Sequence, residues 1–317
     1  MVARVLVVAQ LPEDWLEPLR ATGLDVDIAP GLGGDHDALC TAAAEVDAIV
    51  CALSTPIDAG VLSAGALGRL RVVANIAVGY DNIDVSAARR HHVAVCNTPG
   101  VLNSATADVA MLLILAACRG GTAAEAALRH GDWHGFELTG YLGMDLAGAR
   151  LGLVGFGGIG QAVAARAAAF DMRVHHHARR PTGQPGYVAE LDALLSDSDV
   201  VSVHVPLSPA TRGLLSAERI SRMPRGSVLV NTARGGIVDE DALADALISG
   251  HLAGAGLDVF AGEPQVSRRL LAAPRLTLLP HIGSATWATR QAMTRLACQG
   301  VVDVLAGRTP ANLVTTA

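Results

Sequence analysis

The chain has 317 residues, of which 51% are hydrophobic and 17% are charged. This length suits about two domains, and the apolar fraction is ample for two buried cores. All 24 basic residues are arginine, which excludes chemistry that needs a lysine side chain, such as Schiff-base catalysis or a Walker-type phosphate loop. The formal net charge of −6 argues against nucleic-acid binding.

The first part of the chain, residues 1–98, has the pattern of an α/β unit. Short runs rich in β-branched residues alternate with helical patterns. The predicted strands are residues 4–9, 24–28, 47–51, 71–75 and 93–96. Alternation of this kind predicts a parallel sheet that helices cover on both faces.

The turn Asn97-Thr-Pro-Gly is the clearest boundary signal, and a helix is predicted after it over residues 104–118. The apolar run within this helix is too short to cross a bilayer, so a buried helix is expected. Near the N-terminus, the apolar residues after Arg4 give way to Pro12-Glu-Asp, which is unlike a signal peptide. We therefore expect a cytoplasmic protein without a membrane segment.

A glycine motif follows near the middle of the chain. The apolar run Leu151-Gly-Leu-Val leads into Gly155-Phe-Gly157-Gly-Ile-Gly160 and then into an alanine-rich helix predicted over residues 161–170. Three spaced glycines are a weak signal by themselves, but between a strand and a helix they predict a dinucleotide site. In such a site Gly155 allows the tight turn, Gly157 the close approach of a pyrophosphate, and Gly160 the packing of helix against strand.

The α/β alternation resumes after this motif, with strands predicted at residues 172–176, 200–204, 227–230, 253–257 and 276–278. The run His175-His-His177 falls at one of these strands, where successive side chains point to opposite faces, so no metal site is expected. None of the five cysteines forms a Cys-x-x-Cys pair, which favours buried free thiols.

Five further motifs occur in a recognisable order. They are Asn75-Ile-Ala-Val-Gly-Tyr-Asp-Asn-Ile-Asp, Asn97-Thr-Pro-Gly-Val-Leu, Val230-Asn-Thr-Ala-Arg-Gly-Gly, Gly256-Leu-Asp-Val-Phe-Ala-Gly-Glu-Pro and Leu279-Pro-His-Ile-Gly-Ser-Ala-Thr. In this combination the chain resembles the D-isomer-specific 2-hydroxyacid dehydrogenases over nearly its whole length. The resemblance implies an α/β fold of two doubly wound parallel-sheet lobes. A Rossmann cofactor lobe, residues 99–285, would be inserted into a flavodoxin-like substrate lobe, residues 1–98 and 286–317.

The resemblance also implies a catalytic set. His281 would be the general acid that protonates the forming alkoxide, because an imidazole exchanges protons near neutral pH. Glu263 would pair with the other ring nitrogen of His281 and favour the imidazolium. Arg234 would bind the substrate carboxylate and polarise the carbonyl group. Taken singly, each of these residues also fits an ordinary structural role.

Two further groups of site residues follow from the same resemblance. On the substrate lobe, the backbone N–H groups of Val78 and Gly79 would bind the carboxylate, and Leu53 would belong to the substrate site. On the cofactor lobe, Asp258 would accept a hydrogen bond from the nicotinamide carboxamide. The other implied cofactor-binding residues, besides the three motif glycines, are Thr106, Gly158, Ile159, Val205, Pro206, Thr211, Thr232, Ala233 and Gly283.

The type of cofactor depends on the segment after the second cofactor-lobe strand. The usual family pattern has an Asp there for the adenosine ribose, whereas this chain has Ala178-Arg179-Arg180. Two arginines would accept a 2′-phosphate that an Asp would repel. NADP(H) is therefore the preferred cofactor, with NAD(H) as the second choice. The alternative reading of Arg179 and Arg180 is a pair of solvated turn charges.

These features predict NADPH-dependent reduction of a small 2-oxo acid, most like the glyoxylate/hydroxypyruvate reductase branch of the family. The protein would act as a homodimer with residues 119–146 at the contact, where Trp133, Phe136 and Tyr141 lie. Two alternatives stay open. One is an NAD-dependent enzyme of this family with another substrate, and the other is a non-catalytic, nucleotide-sensing co-repressor of the same fold.

Overall fold

The computed structural model describes residues 2–314, which form two compact units. The described residues up to Leu102, together with those from Thr286 onward, form the first unit, and Asn103–Ala285 form the second. The chain therefore leaves the first unit once and returns to it, so the second unit is an insertion. The assignment of these units as substrate and cofactor domains stays a prediction.

The first unit contains a five-stranded parallel sheet. Its strands are β1 (Arg4–Val7), β2 (Asp25–Ile28), β3 (Ala48–Cys51), β4 (Val72–Asn75) and β5 (Ala94–Cys96). They are arranged in the order β2-β1-β3-β4-β5, which is the flavodoxin-like order. The five strands predicted from the sequence are confirmed.

The second unit contains a six-stranded sheet, again with every pair parallel. Its strands are β6 (Arg150–Val154), β7 (Arg173–His177), β8 (Val200–Val203), β9 (Val228–Asn231), β10 (Gly254–Leu257) and β11 (Leu276–Leu278). The order is β11-β10-β9-β8-β6-β7, and a single parallel bridge between His176 and Tyr187 continues the sheet beyond β7. If this bridge is counted as a shortened third strand, the order is the 3-2-1-4-5-6 of a Rossmann sheet with β11 added as a seventh strand. The predicted fold class is confirmed.

Helices connect the strands in both units. In chain order they are α1 (Glu17–Arg20), α2 (His36–Ala43), α3 (Ala59–Leu67), α4 (Val85–Arg90), α5 (Asn103–Arg119), α6 (Gly121–His130), α7 (Gly158–Ala168), α8 (Leu191–Ser196), α9 (Ala217–Arg222), α10 (Glu240–Ile248), α11 (Arg268–Leu271) and α12 (Trp287–Leu305). Short 3-10 helices lie at Glu13–Leu16, Pro30–Gly34 and Gly235–Ile237. Side chains cap many of these helices; for example, Asp58 accepts a hydrogen bond from the N–H of Val61 at the start of α3.

The interiors of both sheets are apolar, as parallel sheets covered on both faces require. Every residue of β3, β4, β8 and β9 is buried. Cys51, Cys96, Cys118 and Cys298 are also buried, and burial raises the pKa of each thiol to about 12, while Cys40 is partly exposed. Within residues 2–314 no single helix is long and apolar enough to cross a membrane. Only α5 and α6 taken together, across a 67° bend, meet the criteria of length and composition.

Candidate active site

The site residues predicted on the second unit lie mostly at one edge of its sheet. They follow the carboxyl ends of parallel strands, which is where ligands bind in open α/β sheets. The positions are 155–160 after β6, Arg179 and Arg180 after β7, Val205 and Pro206 after β8, Thr232, Ala233 and Arg234 after β9, Asp258 after β10, and His281 and Gly283 after β11. Thr106 is buried on α5, and Thr211 lies in the loop that follows Pro206.

The glycine loop leaves the N-terminus of α7 open. Gly155 has a φ of +102°, and a Cβ at this position would lie 2.7 Å from the carbonyl oxygen of His204, so the turn requires glycine. At Gly157 the φ is −73° and an added Cβ would meet nothing within 4 Å. Gly157 is also the N-cap of α7 and supplies no side-chain acceptor to the first N–H groups of the helix. This helix terminus therefore suits a phosphate group.

Other groups at this edge also fit a dinucleotide. The hydroxyl of Thr232 is buried and has no hydrogen-bond partner within the described residues, although buried polar groups are normally bonded. Arg179 and Arg180 are both exposed at the surface. Thr211 differs, because its hydroxyl donates to the carbonyl oxygen of Pro206 at 2.6 Å and accepts from the N–H of Ser208 at 2.8 Å. These two hydrogen bonds of Thr211 stabilise the loop in which it lies.

A hydrogen-bonded acid–base pair lies at the same edge. Nδ1 of His281 is 2.7 Å from Oε2 of Glu263, and about one third of each side chain is exposed. Burial alone would raise the pKa of the Glu263 carboxyl, but its hydrogen bonds with His281 and with the N–H of Phe260 outweigh burial. The positive charge of Arg234 acts in the same direction. The net effect lowers the pKa of Glu263, so this group is an anion that orients the imidazole ring.

The loop that carries His281 is held by a buried carboxylate. The backbone φ of His281 is +54°, a left-handed conformation that costs a non-glycine residue roughly 1–2 kcal/mol. Directly after it, the N–H groups of Ile282 and Gly283 donate to the two oxygens of Asp258, each at 2.7 Å. Burial raises the pKa of Asp258 despite these two bonds. The carboxylate keeps further lone pairs, so the predicted contact of Asp258 with the carboxamide stays a prediction.

The loop that carries Arg234 is held by the last residue of β9. The buried side chain of Asn231 donates to the carbonyl oxygen of Arg234 at 2.8 Å and accepts from the N–H of Ala233 at 3.0 Å. Sequence reasoning missed Asn231, although its place inside the Val-Asn-Thr-Ala-Arg motif is a usable signal. The side chain of a buried Asn at a strand end often forms hydrogen bonds with the backbone of the adjacent turn.

The loop before Glu263 is held by the Arg234 loop and by helix α10. A Cβ on Gly235 would collide with the backbone of Phe260 and Ala261, so glycine allows the two backbones to touch. Glu240, on α10, also accepts a hydrogen bond from the N–H of Ala261 at 2.6 Å. These contacts fix the segment that precedes Glu263. Glu240 was not among the residues predicted from the sequence.

The substrate residues predicted on the first unit lie in two loops. Leu53 is partly buried in the turn after β3, and Val78 and Gly79 are partly buried in the loop after β4. The motifs at residues 75 and 97 thus provide strand ends and the loops that follow them. Within residues 2–314 no group of three or more His, Cys, Asp or Glu side chains could hold a metal ion.

His204, which touches the glycine loop, gives a pH-dependent prediction. Burial lowers its pKa from 6.5 to about 4, and its Nε2 is 2.9 Å from the hydroxyl of Ser202. The unfolded chain takes up this proton below about pH 6.5, whereas the folded protein does so only near pH 4. The stabilisation is therefore fully present above pH 6.5 and is lost as the pH falls towards 4, by on the order of 3 kcal/mol at most.

The measurement is Tm against pH for wild type and His204→Gln, whose amide preserves a partner for Ser202. Wild type should lose more stability than the variant between pH 6.5 and 4. Parallel curves for the two proteins would contradict the assignment of a partly buried His204 that stays uncharged above about pH 4.

Comparison with known proteins identifies the family. A model described as "D-isomer specific 2-hydroxyacid dehydrogenase, NAD binding domain" matches residues 111–283, more than half of the chain. The chain belongs to the D-isomer-specific 2-hydroxyacid dehydrogenase family. A glyoxylate reductase of Thermococcus onnurineus is 40% identical over 327 aligned residues, which cover 99% of this chain and 96% of that protein. The family resemblance predicted from the motifs is thereby confirmed.

Solved structures agree with the assignment to this dehydrogenase family. A protein of Thermus thermophilus is 43% identical with a TM-score of 0.90, covering 98% of this chain and 100% of that chain. An NADPH-dependent glyoxylate/hydroxypyruvate reductase of Sinorhizobium meliloti, in complex with NADP and malonate, is 33% identical with a TM-score of 0.87, covering 99% and 97%. As a 2-hydroxyacid dehydrogenase, the protein is an enzyme that uses a nicotinamide cofactor and reduces a 2-oxo acid.

Proposed function

We propose that this dehydrogenase reduces glyoxylate or hydroxypyruvate with NADPH. The observation that carries the proposal is the hydrogen-bonded pair of His281 and Glu263, 2.7 Å apart, next to the loop of Arg234. A proton donor, its carboxylate partner and a cation are the groups that reduction of a 2-oxo acid needs. The similarity to the glyoxylate reductase of Thermococcus onnurineus and to the glyoxylate/hydroxypyruvate reductase of Sinorhizobium meliloti supports these two substrates.

In the proposed reaction the bound NADPH supplies the hydride. His281 holds a proton on Nε2, the nitrogen that does not face Glu263, and gives it to the substrate oxygen as that oxygen becomes an alkoxide. Glu263 keeps the ring oriented through its hydrogen bond with Nδ1. The neutral imidazole then regains a proton from solvent.

Arg234 is proposed to interact with both the carboxylate and the carbonyl group of the substrate. Its guanidinium pairs with the carboxylate, and its charge stabilises the carbonyl oxygen as negative charge develops there. The N–H groups of Val78 and Gly79 are proposed to bind the same carboxylate, and Leu53 to belong to the substrate site. Asn231 and Asp258 act on the reaction through the loops they hold.

The preference for NADPH over NADH rests on the turn after β7. Ala178 stands where an acidic residue would bind the ribose hydroxyls of NADH, and Arg179 and Arg180 follow it at the surface. Guanidinium groups bind phosphate strongly, and a small neutral residue leaves room for it. We therefore assign the 2′-phosphate of NADPH to these two arginines.

A homodimer is also part of the proposal. Helix α6 has no buried residue, and the segment after it exposes Trp133 by 53%, Phe136 by 87%, Leu138 by 83% and Leu142 by 76%. Monomeric proteins rarely expose contiguous apolar patches of this kind. We assign this segment, within the predicted range 119–146, to the contact with a second copy of the chain.

The proposed activity is tested by initial rates with NADPH and a panel of 2-oxo acids: glyoxylate, hydroxypyruvate, pyruvate, phenylpyruvate and 2-ketogluconate. Glyoxylate and hydroxypyruvate should have the highest kcat/KM, because the proposed site serves small acids. Rates should be unchanged after dialysis against a chelator, because the proposed proton donor is His281. The proposal would be contradicted if phenylpyruvate had the highest kcat/KM. It would also be contradicted if the chelator abolished the activity and zinc restored it.

The same measurement separates the two alternatives. A nucleotide-sensing co-repressor would bind the cofactor yet turn over none of the acids. A dehydrogenase for another substrate would favour NADH or a larger acid. The catalytic pair of His281 and Glu263 favours turnover, because a sensing protein has no need of a proton donor beside a carboxylate.

A further inference from the structure

In the loop after β4, the carbonyl oxygens of three consecutive peptide groups each accept a hydrogen bond. The carbonyl of Ala77 accepts from the backbone N–H of Thr98 at 2.9 Å. That of Val78 accepts from the side-chain amide of Asn97 at 2.8 Å, and that of Gly79 accepts from the side-chain amide of Asn75 at 2.8 Å. Two of the three donors are thus asparagine side chains.

This arrangement fixes the direction of the opposite N–H groups. In a trans peptide the C=O and the following N–H point in opposite directions. The N–H groups of Val78, Gly79 and Tyr80 therefore point away from Thr98, Asn97 and Asn75. Within residues 2–314 these three N–H groups donate to no protein acceptor. Three neighbouring N–H groups without acceptors form a site for an anionic oxygen.

The two asparagines are themselves held in place. The amide of Asn75, a fully buried residue, also donates to Oδ1 of Asn82 at 3.0 Å, and the amide of Asn82 donates to the carbonyl oxygen of Thr55 at 2.9 Å. Asn97 is fixed through its backbone, because its N–H donates to the backbone carbonyl oxygen of Asn312 at 3.1 Å, a bond that does not depend on the side chain of residue 312. Both donors therefore approach the loop from rigid, hydrogen-bonded positions.

We propose that Asn97 and Asn75 are positioning residues for the substrate carboxylate. Asn97 holds the Val78 carbonyl and so aims the N–H of Gly79, and Asn75 holds the Gly79 carbonyl and so aims the N–H of Tyr80. This inference rests on the proposed function, which assigns the N–H groups of Val78 and Gly79 to the carboxylate. It adds Tyr80 as a third donor and gives the Asn97-Thr-Pro-Gly motif a role beyond marking a boundary.

The test is the KM for glyoxylate in Asn97→Ala and Asn97→Asp. Alanine removes the donor to the Val78 carbonyl, and an ionised aspartate repels that carbonyl. Carboxylate binding is used equally in the ground state and the transition state, so KM should rise roughly tenfold while kcat changes little. The inhibition constant of oxalate, which cannot be reduced, should rise by a similar factor, and the KM for NADPH should be unchanged.

Asn312→Ala is the matched control. It also removes a buried amide that holds backbone carbonyls, those of Asn97 and Leu296, but it touches none of the three peptides of the loop. It should lower Tm without raising the KM for glyoxylate. A pH series adds a second readout, because the carboxyl introduced by Asn97→Asp donates as the amide does once it is protonated. The KM of Asn97→Asp should therefore approach that of wild type as the pH falls.

The inference is overturned if both Asn97 variants keep the wild-type KM and oxalate inhibition, or if Asn312→Ala raises the KM as much as they do. If the Asn97→Ala and Asn97→Asp variants do not fold, Asn97→Gln is tested instead. Its longer side chain misplaces the amide donor, so the KM for glyoxylate should rise while the KM for NADPH stays unchanged. A wild-type KM in a folded Asn97→Gln overturns the inference as well. A wild type that reduces no 2-oxo acid would instead contradict the proposed function. The two failures are therefore distinguishable.

Discussion

His281→Ala is expected to lower kcat for glyoxylate reduction by roughly 10²–10⁴-fold, the usual range for loss of a general acid. The expectation follows from the 2.7 Å bond between His281 and Glu263, which orients the ring and holds a carboxylate beside it. Without the imidazole, the alkoxide takes its proton from water, which is neither positioned nor activated. Binding of NADPH, followed by its fluorescence, should survive, because the imidazole is assigned to proton transfer.

The matched control for this substitution is His251→Ala. His251 also belongs to the second unit, and its Nε2 lies 3.2 Å from the carbonyl oxygen of Ile220, away from the proposed chemistry. Its removal should leave kcat within about twofold of wild type, as expected for a change outside the site. If His281→Ala keeps near wild-type turnover at neutral pH, the assigned proton donor is wrong.

Replacing Arg179 and Arg180 together with serine is expected to raise the KM for NADPH by roughly 10- to 150-fold. This is the effect of losing a charge-assisted hydrogen bond of about 1.5–3 kcal/mol to the 2′-phosphate. The KM for NADH should change little, because NADH has no phosphate there. Adding Ala178→Asp should widen the difference, since a carboxylate repels the phosphate and offers the ribose hydroxyls an acceptor.

Arg173→Ser is the control for this pair of substitutions. Arg173 is also exposed but lies at the amino end of β7, whereas the arginine pair follows the carboxyl end. Its loss should affect neither cofactor. Equal losses for NADPH and NADH in the double variant would mean that Arg179 and Arg180 only support the fold. A wild type that prefers NADH would overturn the assignment of NADPH.

Much of the fold was predictable because buried parallel strands are continuous apolar runs. Runs such as those at β3 and β8 could be recognised without any tertiary information. The third strand of the Rossmann sheet was not predicted, since it is reduced to one bridge at Tyr187. That position pairs with His176, whose ring stacks on Phe156 with the ring centres 3.7 Å apart. Such contacts depend on the tertiary structure and leave no periodic signal.

The candidate site was predictable where a motif combines several functional residues, and less so where single side chains serve the backbone. His281, Glu263 and Arg234 stand in long motifs and were named from them. Asn231 stands in the motif of Arg234 and Asn97 in a motif of its own, but neither was assigned a function, because their partners are carbonyl groups whose positions depend on folding. The two hydrogen bonds that Asp258 accepts from the loop after His281 join residues 24 and 25 positions apart in the chain. Sequence spacing does not reveal that contact.

The proposed reaction is the reduction of a small 2-oxo acid with NADPH and a proton from His281. The most direct measurement is a single turnover of excess wild-type enzyme and NADPH with hydroxypyruvate, with the product identified by chiral chromatography. We expect one equivalent of NADPH to be oxidised for each equivalent of the D-2-hydroxy acid formed, and His281→Ala to form it far more slowly. Unchanged NADPH in the wild-type reaction, or oxidation without the D-hydroxy acid, would contradict this claim.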